Sequence, residues 1–291
     1  MFSAALWQHI SESVWGALTM LAMMTLIFTW LALIARGKAV FRDMRGAWPE
    51  AQVSLSLHFW NILVFMPLYV PSLLALQHWM NLQGYYFLQP SDWAALPEWL
   101  VALLALFVGD FITYVRHRIE HWSWLWPMHA IHHSDTNLTW VTLFRQHPLN
   151  VVTTGIFDTI LLTLMGFPGY ALAFMATGRL LYGALVHMNL PWTYGPLGKI
   201  LVSPAMHRWH HVRSGPGVGN NFATVFAVFD WAGGTHYLPG PCKEPLGVEE
   251  DMGRGVMGQL WHPIKVWSRR VQRAQEAPDT PRAVPASEQS P

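Results

Sequence analysis

The sequence predicts an all-α fold: a polytopic membrane helical bundle carrying a histidine-rich helical cap. Three observations predict it. Of the 291 residues, 52% are hydrophobic and 12% are charged, where soluble domains carry about 25% charge. Uncharged apolar stretches reach the length that crosses a bilayer. Eleven of the 15 histidines lie between His117 and His236, most of them at helical spacing.

The spans come first. Ser13 to Ala35 is one charge-free apolar stretch, and about 20 residues cross a bilayer. It lacks a basic leader and a small-residue cleavage site, so it reads as a span and not a signal peptide. Leu55 to Leu76 is a second span, with Pro67 and Pro71 as expected kinks. Glu98 to Val115 is a third. Val151 to Val186 is broken by Gly166-Phe167-Pro168-Gly169. It is short for two full spans and reads as a tight hairpin or a re-entrant pair.

Loop charge sets the orientation. Arg36, Lys38, Arg42 and Arg45 follow the first span, and Arg116 and Arg118 follow the third. The N-terminus and the loop from Gln77 to Pro97 have no basic residue. Basic loops stay in the cytoplasm, so the N-terminus is expected outside and every histidine block on the cytoplasmic side. Trp122, Trp124 and Trp126 read as an interfacial belt.

The histidines form four groups: His117-x-x-x-His121, His129-x-x-His132-His133, His187, and His207-x-x-His210-His211. On a helix, i and i+4 share a face. At about 100° per residue, the three rings of each triple block fall within about 100° of arc. Pro127 precedes one block, and Ser203-Pro204 precedes the other as N-cap and N1. Two short helices are expected, each presenting three imidazoles to a shared centre. Nine imidazoles exceed one ion's coordination, which points to a dinuclear metal site. Imidazole suits iron, zinc and copper, so the donors alone do not choose the metal.

Other chemistry is excluded or weak. A net charge of +1 with no basic run among aromatics gives no nucleic-acid site. The single Cys242 excludes a disulfide framework and a Cys-ligated cluster. His58 reads as a buried span residue, and His147 as a loop residue or one standing behind the ligands. Two rival readings exist. His117-x-x-Glu120-His121 fits a zinc metallohydrolase with Glu120 as base, although Glu120 also reads as a solvated helix residue. A His-rich metal transporter would need ionisable groups along the spans, which hold little besides His58, Asp110 and Asp158.

From Asp110 to about Tyr237 the chain resembles the fatty acid hydroxylase / sterol desaturase superfamily. The residues that carry the resemblance begin with Asp110, Tyr114, His117-Arg118-x-x-His121 and Trp126. They continue through His129-x-x-His132-His133-Ser134, Asn137, Arg145-x-His147-Pro148 and His187-x-Asn189. Ser203-Pro204-x-x-His207-x-x-His210-His211 and Asn221-Phe222 complete the set. Two departures stand out. The family's Trp-Asp-x-x-Phe-Gly-Thr appears here as Phe229-Asp230-Trp231-Ala232-Gly233-Gly234-Thr235, and the Glu often found after the His-Pro pair is absent, with Asn150 nearby.

The resemblance implies a non-haem site of two iron ions on these nine histidines, with zinc possible in purified protein. It implies O2 as co-substrate and a lipid substrate hydroxylated or desaturated at a C–H bond. Electrons must come from a separate redox partner, a reductase with ferredoxin or cytochrome, since no dinucleotide fingerprint is present. Asp110, Tyr114, Asn189 and Asp230 are the residues expected behind the ligands, with Asp135 a further carboxylate that would orient ring N–H groups. Asp110, Tyr114, His117 and His121 share one helical stripe. The expected organisation is a transmembrane region over 1–97, a catalytic region over 98–240, a cytoplasmic segment over 241–273 and a disordered tail over 274–291.

Overall fold

The computed structural model describes residues 4–276, with side chains from 11 to 275. Ten α-helices account for most of the chain, and no strand occurs among the described residues. Two isolated antiparallel bridges, Leu201 with Phe226 and Val212 with Leu246, tie loops together.

The first helix, α1 (Ala4–Arg36), ends at Gly37 in a left-handed turn and leads into α2 (Ala39–Trp60). A π-helical turn over Asn61–Phe65 joins α2 to α3 (Met66–Gln83). The helix is therefore continuous from Ala39 to Gln83, 45 residues, or about 67 Å at 1.5 Å per residue. That is twice the apolar thickness of a bilayer. The charged half, with Arg42, Asp43, Arg45 and Glu50, extends beyond the span expected at 55–76. Neither Pro67 nor Pro71 interrupts the helix. The wider turn sits just ahead of Pro67, where Met66 N–H bonds back five residues to Asn61.

The third expected span is α4 (Glu98–Glu120). The segment expected as a hairpin is two helices, α6 (Pro148–Leu164) and α7 (Gly169–Val186). Gly166 makes the turn at φ 60°, and any Cβ there would overlap the Leu88 carbonyl. Both helices pack on α4. Gly109 lets α7 approach closely, since a Cβ would fall on the Met175 sulfur. Among the described residues four helices are long and apolar enough to cross a membrane, and the protein is an integral membrane protein. Arg179, which the loop-charge argument does not cover, lies within α7 and pairs with Asp158 of α6 at 3.1 Å.

The cap is built from short helices: α5 (Trp126–His133), α8 (Pro204–His210) and α9 (Val228–Ala232). Ser203 caps α8 as expected, its hydroxyl accepting from Met206 N at 3.1 Å. The last helix, α10 (Gly255–Glu276), packs on α5 and α2. It carries residues 274–276, assigned above to a disordered tail; 277–291 lie outside the described residues.

Two further expectations change. Trp122 and Trp124 are exposed, but Trp126 turns inward against the rings of His121 and His133. His147 is the N-cap of α6: its Nδ1 accepts from Leu149 N at 3.1 Å, and its Nε2 lies 3.2 Å from the Leu260 carbonyl. Burial lowers its pKa to about 4. The unfolded chain then takes up this proton first, near pH 6.5, so His147 lends stability above that pH and loses it as pH falls towards 4. His147→Ala is expected to cost about 1 kcal/mol, the scale of a lost cap. The loss should show in thermal unfolding at pH 7.5 and shrink at pH 5.

Candidate metal centre

Four helices and their C-caps bring the nine histidines together in two groups. His117 of α4, His121 at its end, His129 and His133 of α5 and His210 of α8 form the first. His132 of α5, His187 at the end of α7, and His207 and His211 of α8 and its cap form the second. Within each group the candidate donor atoms lie within 4.8 Å of one another. This revises the expectation for the triple blocks. Each block is split between the two groups, because rings at +3 and +4 diverge enough to reach different centres. The groups adjoin, with the His133 and His211 rings stacked 4.4 Å apart.

The outer nitrogens of several rings are held by acceptors. Nδ1 of His117 lies 2.8 Å from Phe222 O, that of His210 2.6 Å from Asn220 O, and that of His187 2.6 Å from Gly183 O. A carbonyl only accepts, so each of these Nδ1 atoms carries the proton and each Nε2 presents a lone pair. Yet His117 Nε2 faces His210 Nε2 at 3.0 Å. His187 Nε2 lies 3.0 Å from His207 Nε2 and 3.2 Å from His132 Nε2. The facing lone pairs of His117 and His210 repel unless a cation lies between them, while in the second group His187 Nε2 is the acceptor on which His207 and His132 converge. A second ring proton is no remedy for the His117–His210 pair, because burial takes the His210 pKa to about 3. Nε2 of His121, His129 and His133 are buried without any partner. Separations near 3 Å are those of nitrogens sharing one ion at bonds of about 2.1 Å. The residues fit two metal ions.

The segment from Asn220 to Phe226 supplies two of the orienting carbonyls, and buried carboxylates hold it. Asn221 takes a left-handed φ of 61° and donates its amide to the carbonyls of Met206 and Tyr237. Asp230 accepts from Phe222 N at 2.8 Å and Ala223 N at 3.0 Å. Asp110 accepts from Thr224, Val225 and Phe226 N–H groups at 2.7 to 3.2 Å. Asp110 and Asp230 thus act on the ligands through backbone, not by touching a ring. Burial pushes the Asp230 carboxyl up to about 6, against the hydrogen bonds that it accepts. Tyr114 packs on Phe222 and meets Thr235 through its hydroxyl at 3.2 Å, and Thr235 in turn donates to Asp230. Asp135 accepts from Thr142 Oγ1 and Asn137 N in the loop after α5. Asn189 lines an apolar chamber, and its carbonyl accepts from Arg36.

Glu120 differs most from expectation. It is 1% exposed and not solvated. It pairs with Arg116 at 2.5 Å and accepts from Asn150 Nδ2 and Thr153 Oγ1. Its Oε2 lies 3.4 Å from His129 Nδ1, which also meets Asn150 Oδ1 at 3.1 Å. Asn150 therefore bridges His129 and Glu120. The carboxylate stands behind the ring, on the side away from the converging Nε2 atoms, so it is badly placed to act as base on a metal-bound water. At the other end of α5, Arg145 joins Ile131 O and Ser134 Oγ to Glu50 of α2.

Two spaces lie in this part of the molecule, and one of them is lined by ligand histidines. One of about 520 Å³ reaches His121, His133 and His210 beside Arg213 and Glu249. The other, about 600 Å³, is apolar and runs between α1 and α2 from Leu18 to Arg36, with Met188 and Arg208 next to ligand positions in sequence.

Residues 102–235 match the fatty acid hydroxylase family. That region is a fatty acid hydroxylase domain, and its relatives are lipid hydroxylases and monooxygenases. The chain is 29% identical over 184 residues to an ornithine lipid hydroxylase, OlsE, of Rhizobium tropici, covering 62% of this chain and 54% of that one. It is 31% identical over 158 residues to human alkylglycerol monooxygenase, covering 54% and 34%. It is 27% identical over 151 residues to methylsterol monooxygenase 2-2 of Arabidopsis thaliana, covering 48% and 55%. The chain thus spans between a third and just over half the length of these relatives. No solved structure resembles it significantly.

The family motif marks Asp110, Tyr114 and Asp230, but not what they hold. The carbonyls of Asn220 and Phe222 and the Asn150–Glu120 bridge escaped sequence reasoning. Asn221-Phe222 was the available signal, since Asn tolerates the left-handed turn that aims both carbonyls. Asp230→Ala is expected to leave two N–H groups unpaired, at about 1–3 kcal/mol each. It should release His117 and lower metal content more than Asp230→Asn does, by elemental analysis of purified protein.

Proposed function

We propose that this protein is a membrane-bound, O2-dependent diiron oxidoreductase that hydroxylates or desaturates a lipid C–H bond. The observation that carries the reading is the convergence of nine imidazoles in two groups, with facing lone pairs at His117 and His210 and with the Nε2 atoms of His121, His129 and His133 buried without partners. Iron bound there would supply O2 activation and the oxidising power that no side chain has. The nine histidines are the ligands, with Asp110, Asp230 and Tyr114 fixing the orienting loop and Asn189 lining the lipid chamber. The hydroxylase and monooxygenase relatives act on lipids by name, which supports a lipid substrate, be it fatty acyl, sterol or ether lipid.

The chain's own residues then have distinct tasks. Acceptors at Nδ1 keep His117, His187 and His210 neutral and aimed inward. The apolar chamber between α1 and α2 admits an alkyl chain from the bilayer side. The smaller polar space gives access to the five-histidine group. Residues 98–240 form the catalytic region and 1–97 the membrane region against which it packs. Basic loops put the histidine groups on the cytoplasmic side, where a separate reductase with ferredoxin or cytochrome delivers electrons. A reporter fused after Arg273 should be active in the cytoplasm, and activity only outside would overturn that orientation.

Glu120 behind His129 argues against the metallohydrolase. The described spans hold the Asp158–Arg179 pair but no path of donors leading from the histidines, which argues against a transporter. Comparative lipid mass spectrometry of cells with and without the gene tests the activity: a gain of one oxygen marks hydroxylation and a loss of two hydrogens desaturation. An unchanged lipid profile under O2, with the protein present and metal-loaded, would refute it.

A further inference from the structure

The last helix carries a face that the metal site does not use. Met257, Trp261, Ile264 and Val271 of α10 are each 46% to 55% exposed. At about 100° per residue they fall in one stripe some 80° wide. Gln259, His262 and Pro263, on the far side, are buried against the cap. Lys265, Arg269 and Arg273 follow along one flank of the stripe, and the only acid in the helix is Glu276 at its end.

Two contacts fix where this face sits. Trp267 Nε1 donates to Trp124 O at 2.8 Å, and Arg270 donates to Ser123 O, its guanidinium 5.8 Å above the Trp124 ring. The loop Trp122–Trp124 begins two residues after the span of α4 ends. Trp122 and Trp124 are themselves 64% and 61% exposed. Exposed tryptophans at the end of a span lie at the headgroup level. The C-terminal half of α10 is thereby held at that level, with an apolar stripe and a row of cations turned outward. A stripe of this kind with a basic flank suits anionic lipid.

We infer that α10 is an interfacial helix that docks on the anionic phospholipid surface of the bilayer spanned by the same chain. Its stripe enters the headgroup–acyl boundary, and Lys265, Arg269 and Arg273 meet lipid phosphates. The inference rests on the membrane reading of α1, α2–α3, α4 and α7. It has a consequence for the site. Gln259 of α10 accepts from Ser134 directly after His133, and Leu260 O meets His147. Lipid that orders α10 also steadies the helix bearing three of the ligands.

The test uses the full chain in nanodiscs of phosphatidylcholine with phosphatidylglycerol. A nitroxide is attached at Ile264→Cys, at Val271→Cys or at Arg273→Cys, with the unsubstituted chain as the control for the buried Cys242. Collision rates with O2 and with a water-soluble nickel chelate are then compared. The O2-to-nickel ratio is expected to be several-fold higher at 264 and 271 than at 273. It should fall at 264 when phosphatidylglycerol is omitted, or when Lys265→Gln and Arg269→Gln are combined. Equal ratios at 264 and 273 would overturn the docking, as would spin–spin broadening between labels at 264, which would mean that a second copy covers the stripe. A ratio indifferent to phosphatidylglycerol would overturn the anionic-lipid assignment. A chain that never enters the discs would refute the membrane reading itself.

Discussion

His210→Ala is expected to abolish lipid oxidation and to leave a protein that binds less than its full metal complement. The ring ties α8 to the first histidine group. Its Nε2 faces His117, its ring lies 4.5 Å from that of His133, and its Nδ1 is fixed by Asn220 O. Removing it leaves the first group with four donors and opens that group further to the polar space that His210 lines. His207→Ala should be as damaging through the second group, where it faces both His187 and His211. The pair of variants also separates the leading reading from a metallohydrolase on His117, Glu120 and His121. A hydrolase would keep its activity in His207→Ala. Lipid product formation in membranes supplied with O2 and reductant, read beside the metal content of each variant, distinguishes the two.

Glu120→Ala is expected to cost roughly 3–5 kcal/mol of stability, the scale for stripping the partner from a buried charge. Arg116 is only 9% exposed and would keep its charge without a carboxylate. Asn150 and Thr153 would lose their shared acceptor, and His129 its support. Glu120→Gln should fall between, because one oxygen survives while the new amide N–H groups oppose the donors around it. Arg116→Met in the Glu120→Ala background should recover part of the loss, since it removes the orphaned charge. Thermal unfolding in detergent measures each step. A Glu120→Ala protein as stable as the parent would contradict the buried arrangement.

Much of this was legible in the chain. Apolar length marked α1 and α4, and the spacing of the histidine blocks marked α5 and α8, down to Ser203 as a cap. Local rules reach that far because spans and caps are set by neighbouring residues. The split of each block between two groups was not legible: it depends on how α5 and α8 face each other, which is decided by packing. Asp110 shows the same limit. Its place on the stripe of His117 and His121 suggested contact with a ligand, but the side chain turns to three backbone N–H groups more than a hundred residues away. Glu120 read equally as a solvated helix residue, because nothing near it in sequence names the groups that bury it. Thr153 and Asn150, which bury it, arrive from α6. The continuous helix through Pro67 was missed because a π-turn absorbs the proline locally, and no residue pattern announces it.

The central claim is that nine imidazoles hold two ions. The direct measurement is elemental analysis of the purified full-length protein after anaerobic loading with Fe(II) and removal of unbound metal. The account predicts two ions per chain, falling towards one in His210→Ala and in His207→Ala. One ion or none in the parent chain, or two ions still held by both variants, would contradict it.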